Sequence, residues 1–394
     1  PISLLSALGE IYERLIYKRL RDHAETKGLI PKEQFGFRTE HSCIHQVHRI
    51  VEHLSASFQR GAMTGVWYFD IAKAFDKVWH NGLLYKLYKL GVRDRLVLIL
   101  RDILSNRTFR YRVGKTLPSP HPIRAEVPQG SVLSPLAFTL FTSDNPPNKK
   151  VQVYGYLNFL VWWRIEVNPE KSQAVLYQKL RHQRPPPAPI TMFGKPIPWE
   201  KQDKYLGVIL DEHLSFATHI QAACSRAAFA MSRLYFMLTK KSKLSLKCKL
   251  RLYTAVIRPI MTFVCVVFAH AHPRHIHKMQ TLQNRFLRKI TGAPPYVRND
   301  SLHLDLRIPT IEQFIKRLSK RFFDSAIKHR NPLIASAARY DPSQISSVRR
   351  PRHALITSDD AITLLQESST DTSTVHRKHK YKPATFRPRR RGPA

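Results

Sequence analysis

The chain has 394 residues, with 65 Lys and Arg against 28 Asp and Glu, and a formal net charge of +37. Its 43% hydrophobic content suffices for a substantial core and excludes a wholly disordered protein. No apolar run reaches the ~18–20 residues of a membrane span. The charge predicts a polyanionic partner, most simply a nucleic acid, although a merely solvated basic surface would have the same composition.

Cysteine usage and the first residues bear on the setting of the protein. The cysteines are scattered and form no C-x-x-C pair: Cys43, Cys224, Cys248 and Cys265. This spacing indicates a reducing, intracellular compartment, either nucleus or cytoplasm, and no secretion signal is recognisable. Because the chain opens on Pro1 and not on Met, we expect it to be a fragment.

Helices and strands alternate in the predicted first part of the chain. Apolar residues at helical spacing predict one helix ending near Gly28 and a second over 44–54; the first is marked by Leu4, Leu8, Ile11, Leu15 and Leu20. A run of strand-forming residues then ends at Asp70. Short helices over 83–90 and 96–104, strands over 108–113 and 122–127, and a helix over 134–140 follow.

The later part of the chain changes character twice. Beyond Leu214 the apolar spacing is helical through several segments, with markers at Ile220, Cys224, Ala227, Met231, Leu234, Leu238, Leu250, Leu252, Val256 and Ile260. From about residue 342 the composition is rich in Ser, Thr, Pro and Arg, which predicts a disordered basic tail.

Asp70 is the first candidate for chemistry. It ends the apolar run VWYFD (66–70), and Phe75 follows five residues later. A carboxylate at the tip of a strand can hold a hard divalent cation. The same residue would serve equally well as a helix cap or a turn residue, so the segment alone leaves both interpretations open.

Two further segments narrow the interpretation. KEQFGFR (32–38) precedes Asp70 and VPQGSVLSPL (127–136) follows it. In this order the three segments resemble the reverse transcriptases of non-LTR retrotransposons, most closely the jockey-type insect elements. NPEKS (168–172) and KYLGV (204–208) add to the resemblance, which covers roughly the first 330 residues.

The resemblance implies a right-hand polymerase fold of the α/β class with an α+β palm. By comparison with the family we expect incomplete fingers over 1–64, a palm over 65–212, a helical thumb over 213–300, a helical C-terminal extension over 301–341, and the basic tail over 342–394. It also implies RNA-directed DNA synthesis from an RNA template and a DNA primer, with deoxynucleotides and Mg²⁺.

Each candidate site residue takes a role from the family. Asp70 would be a catalytic metal ligand, and Lys171 would be a catalytic acid near the leaving pyrophosphate. The expected nucleotide-binding residues are Arg38 on the triphosphate, Phe75 under the sugar, and Gln129 and Gly130 along the nucleotide and template. Without the resemblance, Phe75 is a core aromatic residue and Gln129-Gly130 a simple turn.

The family's paired aspartates are missing from the expected position. Aligning Tyr156 with the aromatic residue of that motif puts Asn158 and Phe159 where the two acids belong, and too few residues separate them from Trp163. We therefore expect an internal deletion near 156–163, or skipped coding sequence. Since a two-metal site needs its carboxylates, we expect a catalytically defective enzyme; the alternative is a non-catalytic, basic nucleic-acid-binding remnant.

Overall fold

A computed structural model describes residues 6–71, 75–105, 107–109, 119–123, 125–128, 130–143, 167–179, 184–192, 194–239, 241–339, 351 and 355. The chain divides into two compact units, Pro1–Ala354 and Leu355–Ala394. Apart from residues 351 and 355, the basic tail expected over 342–394 lies outside the described residues. None of the described helices combines the length and apolar character of a membrane span.

Helices and strands alternate up to residue 211, and helices follow. The helices of the first part are α1 Ala7–Thr26, α2 Cys43–Gln59, α3 His80–Lys89, α4 Asp94–Leu104 and α5 Ser134–Phe141. The strands are β1 Thr64–Ile71, β2 Thr108–Phe109, β3 His121–Pro122, β4 Val167–Tyr177, β5 Thr191–Met192, β6 Lys195–Pro196, β7 Trp199–Glu200, β8 Gln202–Tyr205 and β9 Val208–Asp211.

The second part is helical, as the apolar spacing predicted. Its helices are α6 Ala217–Arg233, α7 Tyr235–Leu238, α8 Leu246–Leu252, α9 Arg258–Thr262, α10 Cys265–Phe268, α11 Pro273–Thr291, α12 Asn299–Leu306, α13 Ile311–Ile327 and α14 Pro332–Ala338. A π-helical turn, Tyr253–Ile257, joins α8 to α9. The extra residue of a π turn rotates the following face, so Tyr253 and Ile257 are buried while the predicted core residue Val256 is exposed.

Local signals fix several helix ends. The Ser6 hydroxyl accepts a hydrogen bond from Gly9 N at the start of α1, and Gly28, with φ of 62°, lies just beyond its end. Helix α13 begins with a capping box in which Thr310 and Gln313 each satisfy the other's backbone N–H. These signals are short-range, and the corresponding boundaries were predictable from sequence.

A three-stranded sheet lies at the centre of the first part, in the order β1-β4-β7. Strand β4 pairs antiparallel with β1 and parallel with β7. Mixed helix and strand of this kind agree with the expected α/β class and with a polymerase palm.

The described core residues form two clusters. One contains α1, α3, α4 and α5, with Leu20, Leu87 and Leu140 among its fully buried members. The other contains α2, the sheet and the helices from α6 to α13. Helix α2 thus packs with the C-terminal helices, whereas α1 packs with α3 to α5.

Two predictions about these elements were wrong. Leu8, Ile11 and Leu15 of α1 are 80%, 57% and 60% exposed; its buried face is formed by Glu13, Ile16, Leu20 and Ala24. The strand predicted over 122–127 stops at Pro122, because Ala125 forms an isolated bridge with Trp79 and Glu126 takes φ of 110°, which turns the chain away from β2.

Candidate active site

Strand β1 carries Asp70 next to its C-terminal end, opposite Asn168 of β4. The backbone of Asp70 is described, but its side chain lies outside the described residues. Tyr68 pairs with Gln173 and Asp70 pairs with Asn168, so two positions along β1 correspond to five along β4. A single β1 residue, Phe69, therefore faces four residues of β4, which is a pronounced bulge.

Side chain to backbone hydrogen bonds stabilise this bulge. The Ser172 hydroxyl donates to Asn168 O at 2.7 Å, and Glu170 N donates to Asn168 Oδ1 at 3.0 Å. Pro169 has no N–H to contribute to a ladder. Lys171 lies on the bulge with its side chain exposed, so the strand positions of the two predicted catalytic residues, Asp70 and Lys171, are neighbours.

The acids and amide next to Asp70 do not form a set of metal ligands. The Asn168 side-chain oxygen already accepts the Glu170 backbone N–H, and the Glu170 carboxylate accepts a hydrogen bond from Lys195 Nζ at 2.8 Å. That hydrogen bond holds the pKa of Glu170 below its usual value. Within the described residues, no three His, Cys, Asp or Glu side chains converge as a metal would require. By themselves, Asn168 and Glu170 do not fit a two-ion site.

Phe75 joins three of the motif segments. Its backbone oxygen accepts a hydrogen bond from Val127 N at 3.0 Å, immediately before the Pro-Gln-Gly motif. Its ring centroid lies 5.3 Å from that of Phe138 on α5 and 6.2 Å from that of Phe37. Phe75 is half-buried against the α1, α3–α5 cluster. Phe75 therefore packs as a core residue. It also lies at a junction where the segments that contain Phe37 and Val127 meet.

Gly130 occupies a tight turn. Ser131 N donates to Pro128 O at 3.2 Å, and Gly130 has φ of 103°, which glycine adopts without a Cβ penalty. Gln129, the other predicted residue of this motif, lies outside the described residues. The turn predicted from Pro-Gln-Gly is present, and its glycine is exposed.

Glu13, a residue that the sequence interpretation missed, is hydrogen-bonded to this turn. Glu13 on α1 is buried, and its Oε2 accepts a hydrogen bond of 2.5 Å from the Ser131 hydroxyl. The same hydroxyl accepts from Leu133 N at 3.1 Å at the start of α5. Glu13 could have been found from its position three residues before Ile16 and seven before Leu20, since an acid on an apolar helix face needs a partner.

Arg38 follows Phe37, whose ring contacts Phe75, so the loop that carries Arg38 lies beside the same junction. The guanidinium is half-buried, and its Nη1 donates to Pro31 O at 3.1 Å. Contacts at Phe75 thus connect the loop that carries Arg38 with the segment that leads into the Gly130 turn.

The loop over 31–41 is held from the far end of the chain by Asn331. Its Nδ2 donates to Lys32 O at 2.8 Å and to Nε2 of His41 at 3.0 Å, while its Oδ1 caps α14 by accepting from Leu333 N at 3.0 Å. His41 Nδ1 then donates to Thr39 O at 2.8 Å. Burial lowers the pKa of His41, which favours the neutral ring that this arrangement needs.

Replacement of Asn331 separates the cap from the loop contact. Asn331→Ala is expected to lower the free energy of unfolding by about 2 kcal/mol, because it removes the α14 cap and both Nδ2 hydrogen bonds. Asn331→Ser keeps a cap oxygen and is expected to lose about 1 kcal/mol. Urea unfolding measures both variants. Equal losses in the two variants would place the whole effect in the loop contacts, whereas an Asn331→Ser variant as stable as the unaltered chain would place it in the cap and contradict a role in holding the loop.

The chain is similar in sequence to known proteins. Residues 1–157 match the sequence profile of the family described as reverse transcriptase (RNA-dependent DNA polymerase). The chain is 33% identical over 89% of its length to the probable RNA-directed DNA polymerase from transposon X-element of Drosophila melanogaster. It is 34% identical over 84% to the corresponding protein from transposon BS, and 31% over 90% to the RNA-directed DNA polymerase from mobile element jockey, both of the same fly.

Coverage and alignment length add two facts. The matches span 42%, 40% and 42% of these relatives, so the chain corresponds to about two fifths of their length. The X-element alignment extends over 385 positions, but it includes only 89% of the 394 residues of this chain, or about 351. About 34 alignment positions are therefore occupied by the relative alone. For jockey, 393 positions against 90% of the chain leave about 38.

Proposed function

Because the chain carries the reverse transcriptase domain of jockey-type non-LTR retrotransposons, we propose that it is a polymerase fragment that holds RNA template and DNA primer but cannot join nucleotides. The family uses divalent metal ions, and Asp70 is the ligand we expect this chain to retain. The net charge of +37 supports the nucleic-acid partner.

The absence of the family's paired aspartates from the expected position carries the proposal of inactivity, and the residues that pair with Asp70 do not replace them. Asn168 offers a neutral oxygen already bonded to Glu170 N, and Glu170 itself is bonded to Lys195. Losing one preorganised electrostatic group from an active site costs ~3–4 kcal/mol, or a few hundredfold in rate. The loss of two carboxylates from a two-ion site should cost more. The residues beside Asp70 therefore favour a defective site over an active one.

The alignment lengths support an internal deletion as the cause. About 34 to 38 relative positions without a counterpart here are enough for a strand hairpin and the helix after it. From the motif spacing, we assign the deletion to 156–163. The proposed division into partial fingers over 1–64, palm over 65–212, thumb over 213–300, extension over 301–341 and tail over 342–394 follows from the same resemblance.

Primer extension on an RNA template tests this function. With Mg²⁺ or Mn²⁺ and all four deoxynucleotides, we expect no extension above background, while the same protein retains labelled template–primer in a filter-binding assay. Binding should weaken as salt rises, because each phosphate contact releases counterions. Extension that disappears in Asp70→Asn would contradict the proposed inactivity. Absence of any salt-sensitive binding would contradict the nucleic-acid function itself.

A further inference from the structure

The segment from His213 to Asn299 contains no Asp or Glu. These 87 residues carry 15 Lys and Arg, although the whole chain has about one acid per 14 residues. The segment extends from just before α6 to the start of α12. Any face of these helices that is free of the rest of the protein therefore has positive potential without a local acid to neutralise it.

One face of α6 and α7 combines this charge with exposed aromatic side chains. Arg226, Phe229 and Arg233 follow one another at spacings of three and four residues, which places them on one side of α6. Phe236 of α7 continues the series three residues later. We call these four residues the Arg–Phe stripe. All four are exposed, with Phe229 at 66% and Phe236 at 85%.

Phenylalanine at such exposure needs an explanation. Large apolar side chains that cluster in solvent mark interaction sites more often than chance. Tyr235, 48% exposed, lies beside Phe236 with ring centroids 5.8 Å apart, and Lys289 of α11 places its ammonium 4.0 Å from the Tyr235 ring centroid. A cation–aromatic contact thus borders the stripe.

We infer that the Arg–Phe stripe binds single-stranded nucleic acid, with bases stacked on Phe229 and Phe236 and phosphates paired with Arg226 and Arg233. The charge selects a polyanion, and alternation of cations with aromatic faces is the pattern by which single strands are bound without sequence readout. Seven residues separate Phe229 from Phe236, a rise of about 10 Å at helical spacing, which is the length of about three stacked nucleotides. A duplex presents no unpaired base that could stack on an aromatic ring, so we expect the stripe to prefer single strands.

The inference rests on the proposed nucleic-acid function and names a surface for it. Fluorescence anisotropy with labelled oligouridine, and with a blunt RNA–DNA duplex, tests both. The Phe229→Ala/Phe236→Ala double variant is expected to bind oligouridine at least tenfold more weakly, since each lost stack is worth ~1–3 kcal/mol. Its logarithmic salt slope should not change, and its affinity for the duplex should change less than threefold.

The Arg226→Gln/Arg233→Gln double variant is expected to behave differently. It should also weaken oligouridine binding, and it should reduce the salt slope by about 0.7 for each lost phosphate contact. Tyr296→Ala is the matched control, because Tyr296 is an aromatic residue of the same acid-free segment, is 85% exposed, and is not part of the stripe. Circular dichroism confirms that each variant is folded.

The outcomes separate the two hypotheses. Oligouridine binding that is unchanged in the double phenylalanine variant, or equally reduced in Tyr296→Ala, overturns the stripe but leaves the nucleic-acid function standing. An equal loss of duplex binding also overturns the single-strand assignment. Failure of the unaltered chain to bind either nucleic acid refutes the proposed function, and with it the inference. Equal binding of polyglutamate would show that charge alone is recognised, against a stacking site.

Discussion

Primer extension is expected to rise at least a few hundredfold when the stretch that we propose to be deleted is restored. The experiment inserts the corresponding segment of the jockey relative, which by the family resemblance is expected to supply the paired aspartates, between Tyr156 and Trp163. Each recovered electrostatic group is worth ~3–4 kcal/mol in the transition state, so the gain should exceed that of one such group. Extension of an RNA-templated primer, measured as nucleotides added per minute, gives the comparison.

Two controls identify the source of the recovered activity. The same insert with both aspartates changed to Asn should fold equally well and remain inactive, and Asp70→Asn in the restored protein should abolish extension. If the unmodified chain already extends primers as fast as the restored one, its ion site is complete and the proposed defect does not exist. If all three proteins are inactive but bind template–primer, the defect lies elsewhere in the palm.

Acid is expected to destabilise the protein sharply between pH 6.5 and pH 4. Burial lowers the pKa of His48 to about 3 and that of His45 to about 4, from an ordinary value of 6.5. His48 is 2% exposed and lies against Phe322 and Phe323, each at 5.3 Å between ring centroids. The Glu52 carboxylate lies 3.8 Å from His48 Nε2, and burial nevertheless keeps the pKa of His48 low.

The loss of stability at low pH follows from proton uptake by the unfolded chain. Because the folded pKa values are depressed, the full stability is present above pH 6.5 and is lost as pH falls, since only the unfolded state binds the protons. His48 alone should cost about 2 to 3 kcal/mol at pH 4.5. Urea unfolding at pH 7.0, 5.5 and 4.5 measures this loss.

Substitution separates His48 from the other histidines. His48→Gln should reduce the difference in unfolding free energy between pH 7.0 and pH 4.5 by about the same 2 to 3 kcal/mol. The exposed His277→Gln should leave the difference unchanged. An unchanged pH dependence in His48→Gln would show that His48 is not the group that takes up the proton, and would contradict the prediction.

Elements with local signals were predictable from the sequence. The ends of α1 and α3 follow from Gly28 and Gly91, whose φ values are 62° and 69°, and α5 begins at Ser134 with proline in its first turn. The β1 strand extends one residue beyond the predicted end at Asp70. The Gly130 turn was predictable from Pro-Gln-Gly alone, whereas the junction at Phe75 was predictable only because the family resemblance gave these segments a common site.

Features set by long-range packing were not predictable. Which face of α1 is buried depends on α3 to α5, and apolar spacing alone selected the exposed Leu8 and Leu15. The bulge that sets Asp70 opposite Asn168 depends on pairing between residues almost 100 positions apart. The contact of Asn331 with Lys32 and His41 joins elements about 290 positions apart, and no motif marks it.

The hold of Asn331 on the 31–41 loop has a practical consequence for recombinant work. A shortened version that stops after α12 would keep every motif of the family and would still expose the Lys32 carbonyl and the His41 imidazole to solvent. Expression boundaries for this protein should therefore lie after α14. A minimal version chosen by motif content alone would carry Arg38, the residue expected to contact the triphosphate, on an untethered loop.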